Sequence, residues 1–232
     1  MILCPSLSMN ATYLFPVDAV LLLGPTGSGK SPLGEHIARN GLFGKRAHHF
    51  DFGAELRALP SQKDPSRNYT AEEIAFVTAV LEQGVLLENR HFPLARKILI
   101  SFLDRASFTS DDVLILNGLP RHVGQANDIA SVAAIDILFF LDCSADSVFC
   151  RLRDNVGGDR TGRFDDDVSL VDKKLRIFKE RTAPLIDHYR KAGTTIVPVE
   201  ISGYSTTHEA YLQISVPATG YPPVPFVAEP PQ

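Results

Sequence analysis

The sequence is poor in the features that would mark a secreted, membrane-borne or nucleic-acid-binding chain. It has three cysteines, Cys4, Cys143 and Cys150, an odd number without the spacing of a disulfide framework or a zinc site. They read as buried small apolar residues of a reduced, intracellular protein, and a cytoplasmic location is expected. Positive charge is not in excess: 23 Lys and Arg against 27 Asp and Glu leave a net charge of −4. That removes the electrostatic case for a nucleic-acid partner. Long apolar runs are also missing. Met1-Ile2-Leu3 is apolar, but no basic stretch accompanies it, and Pro5, Asn10 and Pro16 keep the N-terminal segment from forming a long apolar run. Neither a signal peptide nor a membrane span is expected. His48, His49, His91 and His122 lack a ligand-like grouping, which argues against zinc.

What is present fits one α/β domain. Short apolar runs at Ala19–Leu23, His48–Asp51, Val113–Asn117, Ile137–Asp142 and Thr195–Val199 read as buried parallel strands. Helical patterns lie between them at Lys30–Asn40, Ala71–Leu81, Glu88–Leu103, Ala145–Arg153 and Val168–Lys191. In the last, Val171, Leu175, Phe178, Thr182, Leu185 and Tyr189 recur at helical steps, with Pro184 expected to disturb the helix locally. The alternation predicts a three-layer α/β/α fold around a five-stranded parallel sheet. Residues 1–17 read as a loosely attached extension and 18–214 as the domain. Asp154–Asp167 is rich in Gly, Arg and Asp, as a mobile loop above a site would be. The tail from 215 to 232 carries Pro217, Pro222, Pro223, Pro225, Pro230 and Pro231 and reads as extended or disordered, with docking of a protein partner as its functional alternative.

The plainest motif is Gly24-Pro25-Thr26-Gly27-Ser28-Gly29-Lys30-Ser31, which meets the pattern G-x-x-x-x-G-K-[ST] of a P-loop NTPase. Glycines let such a loop curl its N–H groups toward phosphate oxygens, and the N-terminus of the next helix adds positive partial charge. Lys30 can reach the β and γ phosphates, and the Ser31 hydroxyl can ligate magnesium. An apolar strand before the loop and an amphipathic helix after it supply the context the motif requires. Arginines then recur beside strand ends, where ligands of such sheets bind: Arg57 after the second strand, Arg121 after the third, and Arg151, Arg160 and Arg163 at or in the polar loop. Their planar forks suit phosphate oxygens.

From about Val20 to Val199 the chain resembles the nucleoside monophosphate kinases, both adenylate kinase and the short-lid UMP/CMP kinases. Besides the phosphate loop, Phe52-Gly53-Ala54-Glu55-Leu56-Arg57 is similar to T-G-D-x-L-R. Asn117-Gly118-Leu119-Pro120-Arg121 with Gln125 is similar to D-G-F/Y-P-R-x-x-x-Q. Arg151-Leu152, Gly162-Arg163-Phe164-Asp165-Asp166 and Thr182-x-Pro184-Leu185-Ile186-x-x-Tyr189 are similar to R-L…G-R-x-D-D…T-x-P-I-I-x-x-Y.

The resemblance implies an acceptor-binding helical segment at about 52–88 and a short lid at about 154–167. It implies that Gly24 to Ser31 hold the donor phosphates of ATP and that Arg151 packs against the donor base. Arg57 and Arg121 would grip the acceptor monophosphate. Gln125 would read its base, Gly118 would lie beside it, and the backbone from Gly84 through Leu86 to Leu87 would line the pocket. Arg163 would bridge both phosphates, and Lys174 stands where the family has another arginine. Asp165 and Asp166 would hold the lid in place, and Arg153 or Arg160 would replace a further lid arginine. The implied reaction is ATP plus AMP giving two ADP, with magnesium; UMP, CMP or another small acceptor is the nearest alternative. A nucleoside monophosphate is thus the expected partner, and a monomer the expected state.

Some positions depart from the pattern. Ala54 and Asn117 replace two aspartates that help order magnesium in the family, Phe52 replaces a threonine at the acceptor base, and Ser31-Pro32 replaces Gly-Thr. Ser31 and Asn117 become the candidate metal residues, with Asp51 and Glu55 near enough in sequence to act as substitute carboxylates. The same departures define the rival class, a diverged nucleotide-binding module with little or no kinase activity.

Overall fold

A computed structural model describes residues 16–61, 69–158 and 168–215. Its framework is a five-stranded parallel sheet of β1 (Val17–Leu23), β2 (Ala47–Asp51), β3 (Val113–Asn117), β4 (Ala133–Cys143) and β5 (Thr195–Ile201), in the order β2-β3-β1-β4-β5. The central strands β1 and β3 are almost wholly apolar, as strands covered on both faces must be. The edges are less so: β2 carries His48 and His49, and β5 carries Pro198, whose missing N–H an edge strand tolerates.

Alternate side chains feed two cores. Ala19, Leu21 and Leu23, with Leu114 and Leu116, face one side. There they meet α2 (Phe52–Ala58), α3 (Ala71–Gln83), α4 (Phe92–Arg105) and α5 (Val123–Ile129). Val20 and Leu22, with Ile115 and Phe139, face the other side, toward α1 (Lys30–Asn40) and the C-terminal α9 (Thr207–Ser215). Helix α6 (Ala145–Arg153) follows β4. The expected three-layer fold is the one observed.

Each expected strand appears, with β4 starting four residues earlier than the apolar run suggested. The long helix expected over Val168–Lys191 is interrupted. It divides into α7 (Val168–Ile177), a π-helical turn (Phe178–Thr182) and α8 (Pro184–Lys191). Pro184 has no N–H to give the preceding turn, and the Ala183 N–H instead donates to the Phe178 carbonyl at 2.8 Å. The helix expected from Glu88 begins at Phe92, because Asn89–His91 form a 3₁₀ turn and Pro93 occupies the first helical turn. Among the described residues no helix is long and apolar enough to cross a membrane.

Candidate active site

The loop after β1 is set by its local geometry. Gly29 caps α1 with φ 94°, a left-handed conformation that a side chain would strain. Ser28 is fully buried and donates its hydroxyl to the Pro25 carbonyl at 2.9 Å. The Lys30 ammonium folds back on the loop, donating to the carbonyls of Gly24 (2.8 Å) and Pro25 (2.6 Å). Pro32 is accommodated because the first helical turn has no use for its missing N–H. Arg151 braces the loop from α6. Its Nε donates to the Gly27 carbonyl (3.0 Å), and its Nη1 to the carbonyls of Ser202 (3.1 Å) and Ser205 (2.6 Å). The guanidinium expected beside a donor base is thus 5% exposed and tied to backbone, outside the cleft wall.

Strands β2 and β3 end level, with Asp51 opposite Asn117. That register gathers a polar cluster under the loop. Asp51 Oδ2 accepts from the Ser31 hydroxyl at 2.5 Å and from Asn117 Nδ2 at 3.0 Å, while Oδ1 accepts from the Ala54 N–H at 2.9 Å and caps α2. Asn117 Nδ2 also lies 3.2 Å from Ser31 Oγ and 3.4 Å from His49 Nε2. Burial pushes the Asp51 carboxyl up, but the Ser31 hydroxyl, the Ala54 N–H, His49 and Arg57 together hold it below the usual carboxylate range. Burial pushes the His49 imidazole down, against the opposing pull of Asp51. Glu55, the other substitute carboxylate considered, is not in this cluster. It faces Arg105, whose Nη2 donates to both of its oxygens at 2.7 and 2.9 Å.

One cleft takes in this cluster. Gly24, Thr26, Gly27, Gly29, Lys30 and Ser31 of the phosphate loop line it. Asp51, Asn117, Gly118, Arg121 and Lys174 line it with them, as do Arg57, Gly84 and Leu86. Burial lowers the Arg121 guanidinium and the charge of Asp51 raises it, which places these two opposite charges in one electrostatic neighbourhood.

Two expected acceptor residues stand outside the wall. Phe52 is 4% exposed and packs in the core beside Phe50, because a benzyl group at the start of α2 gains more from burial than from solvent. Gln125 is 1% exposed. Its Oε1 accepts from the Arg121 N–H and its Nε2 donates to the Leu87 carbonyl, both at 2.8 Å. Arg153 pairs with Asp154 at 2.7 Å. Arg160 and Arg163 lie outside the described residues, as do Asp165, Asp166 and most of the expected lid.

Sequence reasoning placed Thr182 on a helix face and in the motif Thr182-x-Pro184 but gave it no role. Its buried hydroxyl donates to the Arg121 carbonyl at 2.8 Å, so Gln125 and Thr182 hold the Arg121 backbone from either side. No local pattern distinguishes such a contact from ordinary helix packing.

The donor set suits magnesium. Ser31 and Asp51 offer a hydroxyl and an ionised carboxylate beside a phosphate-type loop, the hard oxygen chemistry that this cation takes alongside phosphate oxygens, while Asn117 turns its amide nitrogen to both.

No family model matches the chain. The curated relatives do: an adenylate kinase of Phocaeicola vulgatus is 31% identical over 179 residues, covering 75% of this chain and 85% of the relative. The chain belongs to the adenylate kinase family of nucleoside monophosphate kinases. An adenylate kinase of Haloarcula marismortui is 27% identical over 220 residues, covering 84% of this chain and 94% of the relative. A crystal structure of a sugar kinase from Janibacter sp. HTCC2649 shares the fold, with a TM-score of 0.50 and 16% identity over 85% of this chain and 92% of the other. Family and fold together describe a P-loop phosphotransferase with a nucleotide-binding loop.

Proposed function

We propose that this kinase moves the γ-phosphoryl group of ATP to a nucleoside monophosphate, with AMP as the default acceptor and two ADP as product. The observation that carries the reading is the single cleft in which Lys30, Lys174, Arg121 and Arg57 share one wall system with the phosphate loop. Simple hydrolysis would need cations at the donor phosphates alone; the two further guanidiniums in the wall, Arg57 and Arg121, suit a second phosphate-bearing molecule.

Lys30 would exchange the Gly24 and Pro25 carbonyls for the donor phosphates, and the loop N–H groups would hold them. Arg57 and Arg121 would orient the acceptor phosphate in line, with Lys174 and, from the lid, Arg163 at the transferring group. An acceptor phosphate oxygen bonds to the γ phosphorus as the bond to the bridging oxygen of ADP breaks. That oxygen is already anionic, so no side chain need act as a base, and positioning plus charge neutralisation carry the acceleration. Ser31 and Asn117 would hold magnesium, which supplies further neutralisation of phosphate charge when bound. Gly118 and the Gly84–Leu86 backbone would flank the acceptor, and Arg151 would steady the loop under the donor.

Acceptor identity is the open variable, since Phe52 and Gln125 both sit away from the cleft wall. UMP, CMP or another small acceptor is the alternative within the enzyme class. Replacement of two family aspartates by Ala54 and Asn117 favours the second class, a nucleotide-binding module. A coupled ADP-production assay with ATP, magnesium and AMP, CMP, UMP or GMP separates them. Turnover with one or more acceptors is expected; silence across the panel, with ATP still bound, would leave the binding module.

A further inference from the structure

The sequence left Asp51 and Glu55 as equal candidates for the missing carboxylate, and of the two Asp51 lines the cleft. Asp51 is the one carboxylate among the described residues lining it, in a wall otherwise charged by Lys30, Arg57, Arg121 and Lys174. It stands at the carboxyl end of β2, in register with Asn117, and touches both residues read as metal holders. We propose that Asp51 is the anionic anchor of the divalent cation in this chain, the carboxylate charge having been relocated to the end of β2 while Ala54 and Asn117 are neutral. The inference rests on the kinase reading of the cleft and adds a metal residue to it.

Three observations support the assignment. Asp51 Oδ2 and Ser31 Oγ are 2.5 Å apart, so the hydroxyl of the phosphate-loop helix is already turned to this carboxylate. Asn117, by donating its Nδ2 to Asp51 and Ser31, acts on the cluster as a neutral orienting group. An amide there attracts a cation less than a carboxylate does, so it needs a charged neighbour, and Asp51 is within hydrogen-bond distance. Finally, Oδ1 is spent on the Ala54 N–H, which fixes the carboxylate plane at the start of α2. The anchor is thereby held by the backbone rather than by a flexible stem.

The test separates the metal from the nucleotide. Free Mn²⁺ followed by electron paramagnetic resonance reports uptake of the cation by the protein–ATP complex beyond uptake by ATP alone. Calorimetric titration of ATP in EDTA reports nucleotide binding without metal. Asp51→Asn retains an N-cap acceptor for α2, because asparagine caps as well as aspartate. It is expected to weaken Mn²⁺ uptake by about tenfold or more, with metal-free ATP binding retained. Adding Asn117→Asp to it returns a carboxylate to the cluster and is expected to restore uptake. Unchanged uptake in Asp51→Asn, or no recovery in the double variant, would overturn the assignment. Failure of the unaltered protein to bind ATP with or without magnesium would overturn the kinase reading itself, and this inference with it.

Discussion

Gly34 lies so close to the His49 ring that a Cβ built on it would stand 2.3 Å from both Cδ2 and Nε2. Helix α1 can approach β2 only because this residue has no side chain, and the same approach sets the His49 ring beside Asn117. Gly34→Ala is expected to cost about 1–3 kcal/mol by overpacking. His49→Ala in the same chain should recover much of that loss in urea unfolding, whereas His49→Ala alone removes a partner of Asn117. At the opposite end of the sheet Asp112 serves stability. Arg46 donates to its two oxygens at 2.8 and 2.6 Å, which outweighs burial and, with Thr109 and His48, holds the carboxyl well below the usual range. A depressed carboxylate adds stability above its unfolded value, and that contribution is lost as pH falls through the folded value. Asp112→Asn should therefore lower the unfolding free energy by about 1–3 kcal/mol near neutrality. The gap to the unaltered chain should narrow below about pH 4, where the unfolded carboxyl begins to take up protons.

At the scale of elements the π turn before α8 matters most. A continuous α-helix through Phe178–Thr182 would rotate Thr182 by a fraction of a turn; the extra residue in the turn directs its hydroxyl to the Arg121 carbonyl instead. Gln125 holds the Arg121 N–H and is itself tied to the carbonyl of Leu87, beside Glu88. Glu88 in turn pairs with Arg181 of the π turn at 2.7 and 2.9 Å. The turn, α5 and Leu87–Glu88 thus form one support for the Arg121 backbone. With Arg121 as the proposed acceptor grip, Thr182→Val is expected to raise the acceptor KM by about tenfold, the worth of one hydrogen bond plus an unsatisfied carbonyl. The KM for ATP should stay unchanged and Thr182→Ser should restore the acceptor value; equal changes in both KM values would mean a general loss of fold.

For the whole molecule, the order β2-β3-β1-β4-β5 brings the carboxyl ends of β1, β2 and β3 together, and the cleft opens there. The phosphate loop shares this opening with Arg57, Gly84 and Leu86. A dinucleotide polyphosphate long enough to span the cleft should therefore stabilise the protein more than ATP at equal concentration. The expected rise in Tm is about 2–4 °C for each further kcal/mol of binding. Equal shifts for the two ligands in a thermal melt would indicate one nucleotide site and would weigh against phosphoryl transfer between nucleotides.

By itself the sequence determined the strands and the phosphate loop, because both are written in local pattern: apolar runs such as Val113–Asn117, and glycines at fixed offsets before Lys30. It marked Arg57 and Arg121 as phosphate partners by their place after strands, and the family resemblance added Lys174; all three line the cleft. The short helices α2, α5 and α9 were not read from the sequence: α2 and α5 are seven residues each, under two turns, too few for a helical period to show, though the nine-residue α6 was read. Only the tertiary structure decided among the candidates that spacing left equal. Asp51 joins Ser31 and Asn117 while Glu55 turns to Arg105, because β2 and β3 end in register and α2 then carries Glu55 away. Gln125 and Phe52 kept the family's positions in the motif, yet burial and backbone partners drew them into the interior. Sequence places a residue along the chain; which neighbour satisfies its polar atoms is settled only when separate strands are laid side by side.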